Sequence, residues 1–499
     1  MSPDERASLV DIPENFPSSV SFRECHAKDC IYTTEWYWQT FGGQEFASLL
    51  QEAFSRNYSL SQSAARILQA KARAEGVASE QFPSLAVGIG GSRSRIETGA
   101  TILSTGFRPE GKSLQNSFSL NNSLSYEIDL WQKIASGVHA AEYRIEKSYA
   151  DDHAQHLVVA DALFRAIMDL KSAQQLESLV QNQIHVSRTL LELMELRFSL
   201  GQSTALDVFD QRSLLASLEA QLPPVLLQQT TARHEIAVLL GLPPENSEHL
   251  DISPDYPSLP KFDNIPAPAD LIALRPDLQS QLLELQASEF DVAEAVAARF
   301  PQLSLGFNYN FSTSDIDNLF PNSFISGVAN VLTTLIEGGS RLGASHLQKA
   351  ELLEQSSRFA ERFIISMQEV EDVLHAERRQ NELLEAIQAQ QLAAEATYTE
   401  SRSRYLNGAT DYIRVLHALQ NKQSIERSEV AERKNLLLVR NRLYLAFGGK
   451  FLRKNESRHS PVPTTLVEAK LSEFLNDDSD ILYCAINTVK NSHDSFESY

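Results

Sequence analysis

The pentapeptide Arg197-Phe198-Ser199-Leu200-Gly201 returns later in the chain as Arg404-Tyr405-Leu406-Asn407-Gly408. At the same offset Leu206 and Val208 fall on Ile413 and Val415, and Gly241, which closes a Leu-rich stretch, falls on Gly448. Phe82-Pro83-Ser84-Leu85 recurs as Phe300-Pro301-Gln302-Leu303 at a slightly larger spacing, because the first copy carries a longer Gly/Ser/Thr-rich loop around Gly99 to Ser113. Echoes in a fixed order define a tandem duplication, so the fold is expected to be two copies of one unit. The Pro-rich stretch 254–268 is the natural connection between them. The expected organisation is an N-terminal extension over 1–34, a first repeat over 35–253, the linker, a second repeat over 269–449 and an atypical tail over 450–499, read as a disordered extension or read-through.

Each repeat reads helix, strand, strand, helix, helix. Phe46 to Gln81 and Pro268 to Arg299 are rich in Ala, Leu, Gln and Glu at helical spacing, and each ends just before a Phe-Pro pair that stops a helix. Two long helical stretches then follow in each copy, Ile134 to Leu200 with Thr204 to Leu240, and Leu342 to Leu406 with Asp411 to Phe447. With 20 Gly and 19 Pro in 499 residues, little interrupts them. A helix of about 65 residues is about 100 Å long, too long to wrap around a small core, so it must pack along other rods. Phe363, Met367, Val370 and Leu374, spaced four, three and four, supply the seam for side-by-side packing. Helix periodicity alone favours an ordinary helical bundle or a soluble coiled-coil scaffold.

The strands carry different chemistry. In Gln302 to Ser312 the odd positions are Leu303, Leu305, Phe307, Tyr309 and Phe311, and the even ones are Gln, Ser, Gly or Asn. Phe118, Leu120, Leu124 and Tyr126 alternate in the same way with Ser117, Ser119, Asn121, Ser123 and Ser125. A half-buried strand facing water normally carries Lys, Glu or Arg on its wet side; an uncharged alternation suits a membrane barrel with an apolar outside and a polar lumen. Each run is about ten residues, the length that lets a tilted strand cross a bilayer. Leu85, Val87 and Ile89 form a shorter third run, and Ser323 to Ile336 a fourth of ambiguous alternation. The competing reading is a small sheet capping a helical bundle. Four strands cannot close alone, since an open edge in lipid leaves backbone groups unpaired, so a membrane barrel would be shared between subunits.

Charge narrows the function classes. The 44 basic against 65 acidic side chains give a net charge of −21, which argues against a nucleic-acid phosphate track. The longest uncharged run, Asn318 to Ile336, contains Pro321 and further polar residues and fails as a spanning helix. Cys25, Cys30 and Cys484 are too few for a disulfide framework. Cys25, His26 and Cys30 lack a second ligand pair at finger spacing, and His153 with His156 reads as a wet helix face, so no metal site is expected. With no phosphate loop, G-x-S-x-G elbow or H-E-x-x-H, neither a catalytic site nor a cofactor is expected.

The chain resembles the outer-membrane efflux protein family, the TolC-like outer-membrane factors, and more closely its lipoprotein branch in multidrug efflux. The resemblance spans about Glu35 to Gly448 and rests on WYWQTFGGQEFASLLQEAF (Trp36 to Phe54), RFSLGQSTALDV (Arg197 to Val208), LLGLPPE (Leu239 to Glu245), LRPDL (Leu274 to Leu278), the two Phe-Pro strand starts and LIEGGSR (Leu335 to Arg341). It implies a mainly α fold with a β-barrel portion. Tandem long helical hairpins would form an α-barrel, and four strands per chain would join a shared twelve-stranded outer-membrane barrel in a homotrimer. It also implies a passive duct from periplasm to outside, an inner-membrane efflux pump that supplies the energy, a periplasmic adaptor at the helical ends, and contact with outer-membrane lipid. The outer-membrane component of a protein secretion system is the alternative within transport.

By the same resemblance the two hairpin turns form the periplasmic mouth. Gly201, Thr204 and Leu206, with Gly408, Thr410 and Ile413, would make the tips and the adaptor-facing surface. Asp207 matches an aperture aspartate and Tyr405 a constricting tyrosine; Asp210, one turn on from Asp207, shares its helix face. Three copies around a narrow axis would make acidic rings that favour cations. The competing reading is that Asp207 and Asp210 are solvated helix-start carboxylates. The second hairpin departs from the family pattern, with Arg414 and His417 where acidic residues are common and Thr410 at a familiar arginine position, which brings Arg414 into reach as a partner for Asp207 or Asp210. A lipoprotein-branch member is expected to begin with a signal peptide and a Cys after small apolar residues; neither Cys25 nor Cys30 fits that site, which makes a truncated or misassigned start the expectation.

Overall fold

The computed structural model describes residues 43–449, except 99–100, 104–105, 109–110, 250, 260–263, 316–319, 321–322 and 334–337, together with 23–25, 31–33 and 451–453. The extension over 1–34 and the tail over 450–499 therefore lie largely outside the described residues, as do His26, Cys30, Cys484 and part of the LIEGGSR motif. The chain divides into two compact units. One comprises Gln69–Ser148 and Gln281–Phe359; the other comprises the described residues up to Leu68, then Tyr149–Ser280, and those from Ala360 onward.

The elements run α1 (Gly43–Arg56), α2 (Tyr58–Ala78), β1 (Ser84–Thr98), β2 (Gly111–Ile128), α3 (Lys133–Ser199), α4 (Ala205–Glu219), α5 (Leu222–Leu239), α6 (Pro276–Ala297), β3 (Gln302–Thr313), β4 (Ser323–Leu332), α7 (Ser340–Leu406) and α8 (Tyr412–Ala446). A one-turn helix, Leu271–Leu274, precedes α6. The two long helices, α3 and α7, are both 67 residues, about 100 Å of rise.

Three stretches that read as single helices are interrupted. The first arm breaks at Asn57, which is buried and turns its side chain into a cap: Oδ1 accepts from the Ser59 N–H at 2.8 Å, and Nδ2 donates to the Leu239 carbonyl at 2.8 Å. The matching arm of the second repeat breaks at Arg275, which takes an extended conformation ahead of Pro276. Between α4 and α5 the break at 220–221 precedes Pro223 and Pro224, which have no N–H to bond the preceding turn. Ala220 and Gln221 keep right-handed helical angles, so that segment loses ladder bonds without turning.

Within the helical unit the duplication becomes a packing rule. Gly241 has φ +72° and sits against the first break, where a Cβ would lie 2.6 Å from the Arg56 carbonyl oxygen. Gly448 has φ +74° and sits against the second, where a Cβ would meet the Leu274 carbonyl oxygen and lie 2.7 Å from its carbon. The main core of this unit gathers Phe46, Leu50, Ala53 and Leu60 with Leu163, Phe164, Ile167, Leu170, Ile236, Leu240 and Tyr444. Leu271, Leu278, Phe363, Val370, Leu374, Leu443 and Phe447 form a second cluster, in which Phe363, Val370 and Leu374 are buried and Met367 is partly buried.

The LRPDL motif finds its reason here. Arg275 is 5 % exposed, and its guanidinium meets Asp277 through two bonds (3.1 and 2.8 Å), Glu369 at 2.6 Å and the Ala446 carbonyl at 3.2 Å. Arg362 adds bonds of 2.9 and 2.6 Å to Asp277. Burial alone would raise the Asp277 carboxyl, but the hydrogen bonds and charges of Arg275 and Arg362 outweigh it and hold the carboxyl below its ordinary value.

The other unit holds a four-stranded sheet in the order β1-β2-β3-β4, antiparallel throughout. Residues β1 and β2 share 15 paired positions, from Ser84↔Ser125 to Thr98↔Gly111, longer than the runs of about ten expected from alternation. Charge-free alternation marks only the lower part of this hairpin; above it the ladder continues through Arg93, Arg95, Glu97 and Lys112. Each repeat enters its long helix through a positive φ, at Gln132 (φ 59°) before α3 and at Gly339 (φ 88°) before α7.

Candidate functional site

The hairpin ends are built from paired helix stops and starts. At the end of α3 the Gln202 N–H donates to the Arg197 carbonyl (2.8 Å) and the Gly201 N–H to the Phe198 carbonyl (2.9 Å), the two bonds of a Schellman ending. The end of α7 repeats it, Ala409 to Arg404 (2.8 Å) and Gly408 to Tyr405 (3.0 Å). Gly201 and Gly408 have φ of +72° and +73°, and a Cβ on either would meet nothing within 4 Å. Glycine is required there by backbone angle alone.

The restarts differ. Thr204 caps α4 in a full capping box: the Asp207 N–H donates to Thr204 Oγ1 (3.2 Å), and the Thr204 N–H donates to Asp207 Oδ2 (2.9 Å). Asp207 is thus a helix-start carboxylate with one oxygen engaged, half-buried on the same face as half-buried Asp210. In the second hairpin Asp411 occupies the cap position, just after Thr410, without a side-chain cap bond. Arg414 is exposed and, among the described residues, makes no ion pair with Asp207 or Asp210 within the chain. That pairing is not formed because α4 and α8 meet through their apolar faces: Val208, Leu214 and Leu218 pack with Met194, Tyr398, Tyr412, Val415, Leu416 and Leu419.

Beneath the turns lies a polar spine that sequence reading missed. Gln211, fully buried, donates through Nε2 to the Ser187 carbonyl (2.7 Å) and hydroxyl (2.8 Å), and accepts from the Tyr412 hydroxyl at Oε1. Burial pushes the Tyr412 phenol well above its ordinary value, and the neighbouring Tyr405, Tyr398, Asp207 and Asp210 act in the same direction. Tyr405 bridges the two hairpins of one chain. Its ring is 5.5 Å from that of Tyr412, the Arg197 guanidinium lies 4.8 Å over its face, and its hydroxyl is 3.5 Å from the Met194 sulfur. Burial raises the Tyr405 phenol, Arg197 opposes the rise and Asp207 adds to it.

Outside this core the tip is apolar. Leu206 (67 % exposed) and Phe209 (63 %) stand on the side of α4 away from Val208 and Gln211, and Phe198, Leu200, Leu406 and Ile413 are exposed at the same ends. Phe209 was legible in principle: Leu206 and Phe209 are three apart, out of step with the buried positions 208, 211 and 214.

The sheet supplies the second element. Its register places Leu85, Leu124 and Phe307 in one row, Val87, Asn122, Tyr309 and Ile325 in the next, and Ile89, Leu120 and Phe311 in the next. The opposite face carries Ser84, Ser125 and Gly306 in one row and Gly88, Asn121 and Asn310 in another, while on β4 it carries Val328 and Phe324 beside Gly306 and Asn310. Over β1 to β3 one face is therefore apolar in its helix-proximal rows and the other is lined by small polar side chains, whereas β4 presents apolar side chains on both faces. Ile89 is 86 % exposed, and Leu85, Val87, Ile325 and Val331 are also exposed. Asn122 intrudes on the apolar face and is satisfied by donating to the Tyr309 carbonyl at 2.9 Å. Among the described residues β1 and β4 are both unpaired on their outer edges. At the helix-proximal end Trp131 stacks on Phe300 (4.9 Å) and donates from its indole N–H to the Pro301 carbonyl at 2.8 Å. No helix among the described residues is long and apolar enough to cross a membrane, and no group of metal-ligating side chains is found among them.

The chain thus combines an antiparallel sheet, apolar on the helix-proximal rows of one face, with two 67-residue helices that end in matching hairpin turns. The model of the family described as Outer membrane efflux protein matches residues 49–242 and 267–449, once in each half. The chain belongs to the outer membrane efflux protein family, and it acts as the outer-membrane component of an efflux system. It is 27 % identical over 444 residues to the pyoverdine export outer membrane protein OpmQ of Pseudomonas aeruginosa, covering 87 % of this chain and 91 % of that one. It is 22 % identical over 453 residues to the antibiotic efflux pump outer membrane protein ArpC of Pseudomonas putida, covering 90 % and 92 %. Among solved structures, the outer-membrane channel OprN superposes with a TM-score of 0.78 at 22 % identity, over 88 % of this chain and 97 % of that one. The Campylobacter jejuni CmeC outer membrane channel gives 0.78 at 21 %, over 93 % and 97 %.

Proposed function

We propose that three copies of this chain assemble into a passive duct, each lending four strands to a closed twelve-stranded barrel and its hairpins to a helical barrel. The observation that carries the reading is the sheet: a face that is apolar and uncharged through its helix-proximal rows, an opposite face that is small and polar over β1 to β3, and two open edges. Such a sheet is unstable in lipid until both edges find partners, and further copies of the chain supply strands of matching length and pattern. The apolar face then meets lipid, the polar face lines the lumen, and Trp131 with Phe300 lies where amphipathic rings favour the membrane boundary.

The exposed apolar tips, Leu206, Phe209 and Ile413 around Gly201, Thr204, Gly408 and Thr410, are read as the docking surface for a periplasmic adaptor that links the duct to an inner-membrane pump. Asp207, Asp210, Tyr405 and Arg414 are read as the aperture. Asp207 has a free oxygen beyond its capping bond, so threefold repetition brings carboxylates toward one axis. The relatives named for pyoverdine export and antibiotic efflux support small organic cargo. Single-channel recording of the purified oligomer tests the aperture: Asp207→Asn with Asp210→Asn keeps a cap acceptor at 207 and removes the charge. Loss of cation preference is expected, and unchanged selectivity would remove these residues from the aperture.

A further inference from the structure

The hairpin of β1 and β2 outruns the rest of the sheet. β3 pairs with β2 no further than Thr313↔Phe118, whereas β1 and β2 stay paired up to Thr98↔Gly111. This overhang lies at the end of β2 opposite the one that leads into α3. Alternation fixes which side chains share the apolar face. From β1 it runs Leu85, Val87, Ile89 and Gly91, then Arg93, Arg95 and Glu97; from β2 it runs Leu120 and Phe118, then Asn116, Leu114 and Lys112. Arginine follows the apolar rows directly.

Among the side chains described at this end, three cations thus stand against one anion. Arg95 Nη2 lies 2.7 Å from Glu97 Oε1, and Lys112 Nζ lies 3.5 Å from the same oxygen, with all three side chains more than half exposed. Arg93 is exposed and has no ion pair among the described residues. Arg93 is two residues beyond Gly91, about 7 Å along a strand and on the same face, so a long cationic side chain stands directly next to the last apolar row. A water-facing loop has no need to place its cations on the face that is apolar one step below. A bilayer edge does, because anionic phosphates begin where acyl chains stop.

We propose that Arg93, Arg95 and Lys112 form a binding site for the phosphate groups of an acylated, phosphorylated glycolipid in the outer leaflet. Arg93 and Arg95 present guanidinium forks, Lys112 a point charge, and Glu97 holds Arg95 and Lys112 in place while weakening their pull on the anion. This rests on the membrane barrel proposed above, which orients the helix-free end of the sheet toward the outside.

The test uses the purified full-length oligomer in nanodiscs of phosphatidylethanolamine doped with bisphosphorylated lipid A or with its fully dephosphorylated counterpart, and reads retention of the glycolipid by native mass spectrometry. The wild type is expected to retain the phosphorylated form about tenfold or more over the dephosphorylated one. Arg93→Gln with Arg95→Gln and Lys112→Gln is expected to abolish the preference, and Glu97→Gln to increase it. Equal retention of the two glycolipids by the wild type, or an unchanged preference in the triple variant, overturns the site. Should the triple variant fail to assemble, the wild-type comparison and the opposite shift expected of Glu97→Gln decide the matter. An oligomer that inserts and conducts but ignores phosphate refutes this site alone; a chain that does not insert refutes the barrel reading beneath it.

Discussion

Four glycines with nearly the same backbone angle separate two kinds of constraint. Gly201, Gly241, Gly408 and Gly448 have φ of +72°, +72°, +73° and +74°, so alanine at any of them must adopt a left-handed conformation at a cost of about 1–2 kcal/mol. At 201 and 408 the added methyl meets nothing within 4 Å, and that strain is the whole cost. At 241 the methyl lies 2.6 Å from the Arg56 carbonyl oxygen; at 448 it meets the Leu274 carbonyl oxygen, with Leu274 C at 2.7 Å and Arg275 Cα at 2.9 Å. These are backbone atoms at the two helix breaks and cannot swing aside, so overpacking adds about 1–3 kcal/mol, for a total of about 2–5 kcal/mol. The assay is thermal inactivation of the detergent-purified oligomer at one fixed scan rate, since unfolding of so large a chain is governed by rate. The order expected is wild type, then Gly201→Ala and Gly408→Ala close together, then Gly241→Ala and Gly448→Ala well below. Four equal shifts would refute the claim that glycine tails seal against the helix breaks.

Asp277→Ala leaves buried Arg275 short of its bidentate partner and is expected to destabilise the helical unit by about 3 kcal/mol in thermal inactivation. Because the folded Asp277 carboxyl is held below its ordinary value, its contribution is full above the unfolded value, near 3.9, and is lost as pH falls through the lower folded value. The stability gap between wild type and Asp277→Asn should therefore narrow only in acid, as read by melting at stepped pH. Gln132→Gly relieves a positive φ that the second repeat already gives to Gly339, and should raise stability by up to about 1 kcal/mol. Leu206→Ser with Phe209→Ser removes the exposed apolar tip without touching buried Val208 or Gln211; adaptor capture should fall sharply while assembly and conductance persist.

Much of this molecule could be read from periodicity because its elements are long. A 67-residue helix repeats its signal many times over, so α3 and α7 were legible to within a residue or two from Ile134 to Leu200 and from Leu342 to Leu406. The uncharged alternation of β3 likewise states its two faces outright. Two of the breaks, at Arg275-Pro276 and before Pro223-Pro224, carry a local proline signal, whereas the break at Asn57 and the enclosure of Arg275 depend on partners far away in sequence. Asn57 is an ordinary polar residue until its amide finds the Leu239 carbonyl, and Arg275 is a surface-type charge until Asp277, Glu369 and Ala446 enclose it. The reach of β1 and β2 past the uncharged stretch was hidden because charge ends the membrane pattern without ending the ladder. At the hairpin ends the glycines and Thr204 announced themselves through local turn chemistry. The Tyr412–Gln211–Ser187 spine did not, since it joins three helices that sequence spacing cannot bring together.

The central claim is that the open sheet is completed by other copies in a membrane. The most direct measurement combines native mass spectrometry with planar-bilayer recording on one preparation of the detergent-extracted protein. The account predicts a mass of three chains and a steady ohmic conductance from that same species. A monomer released without detergent that leaves the bilayer silent would contradict it.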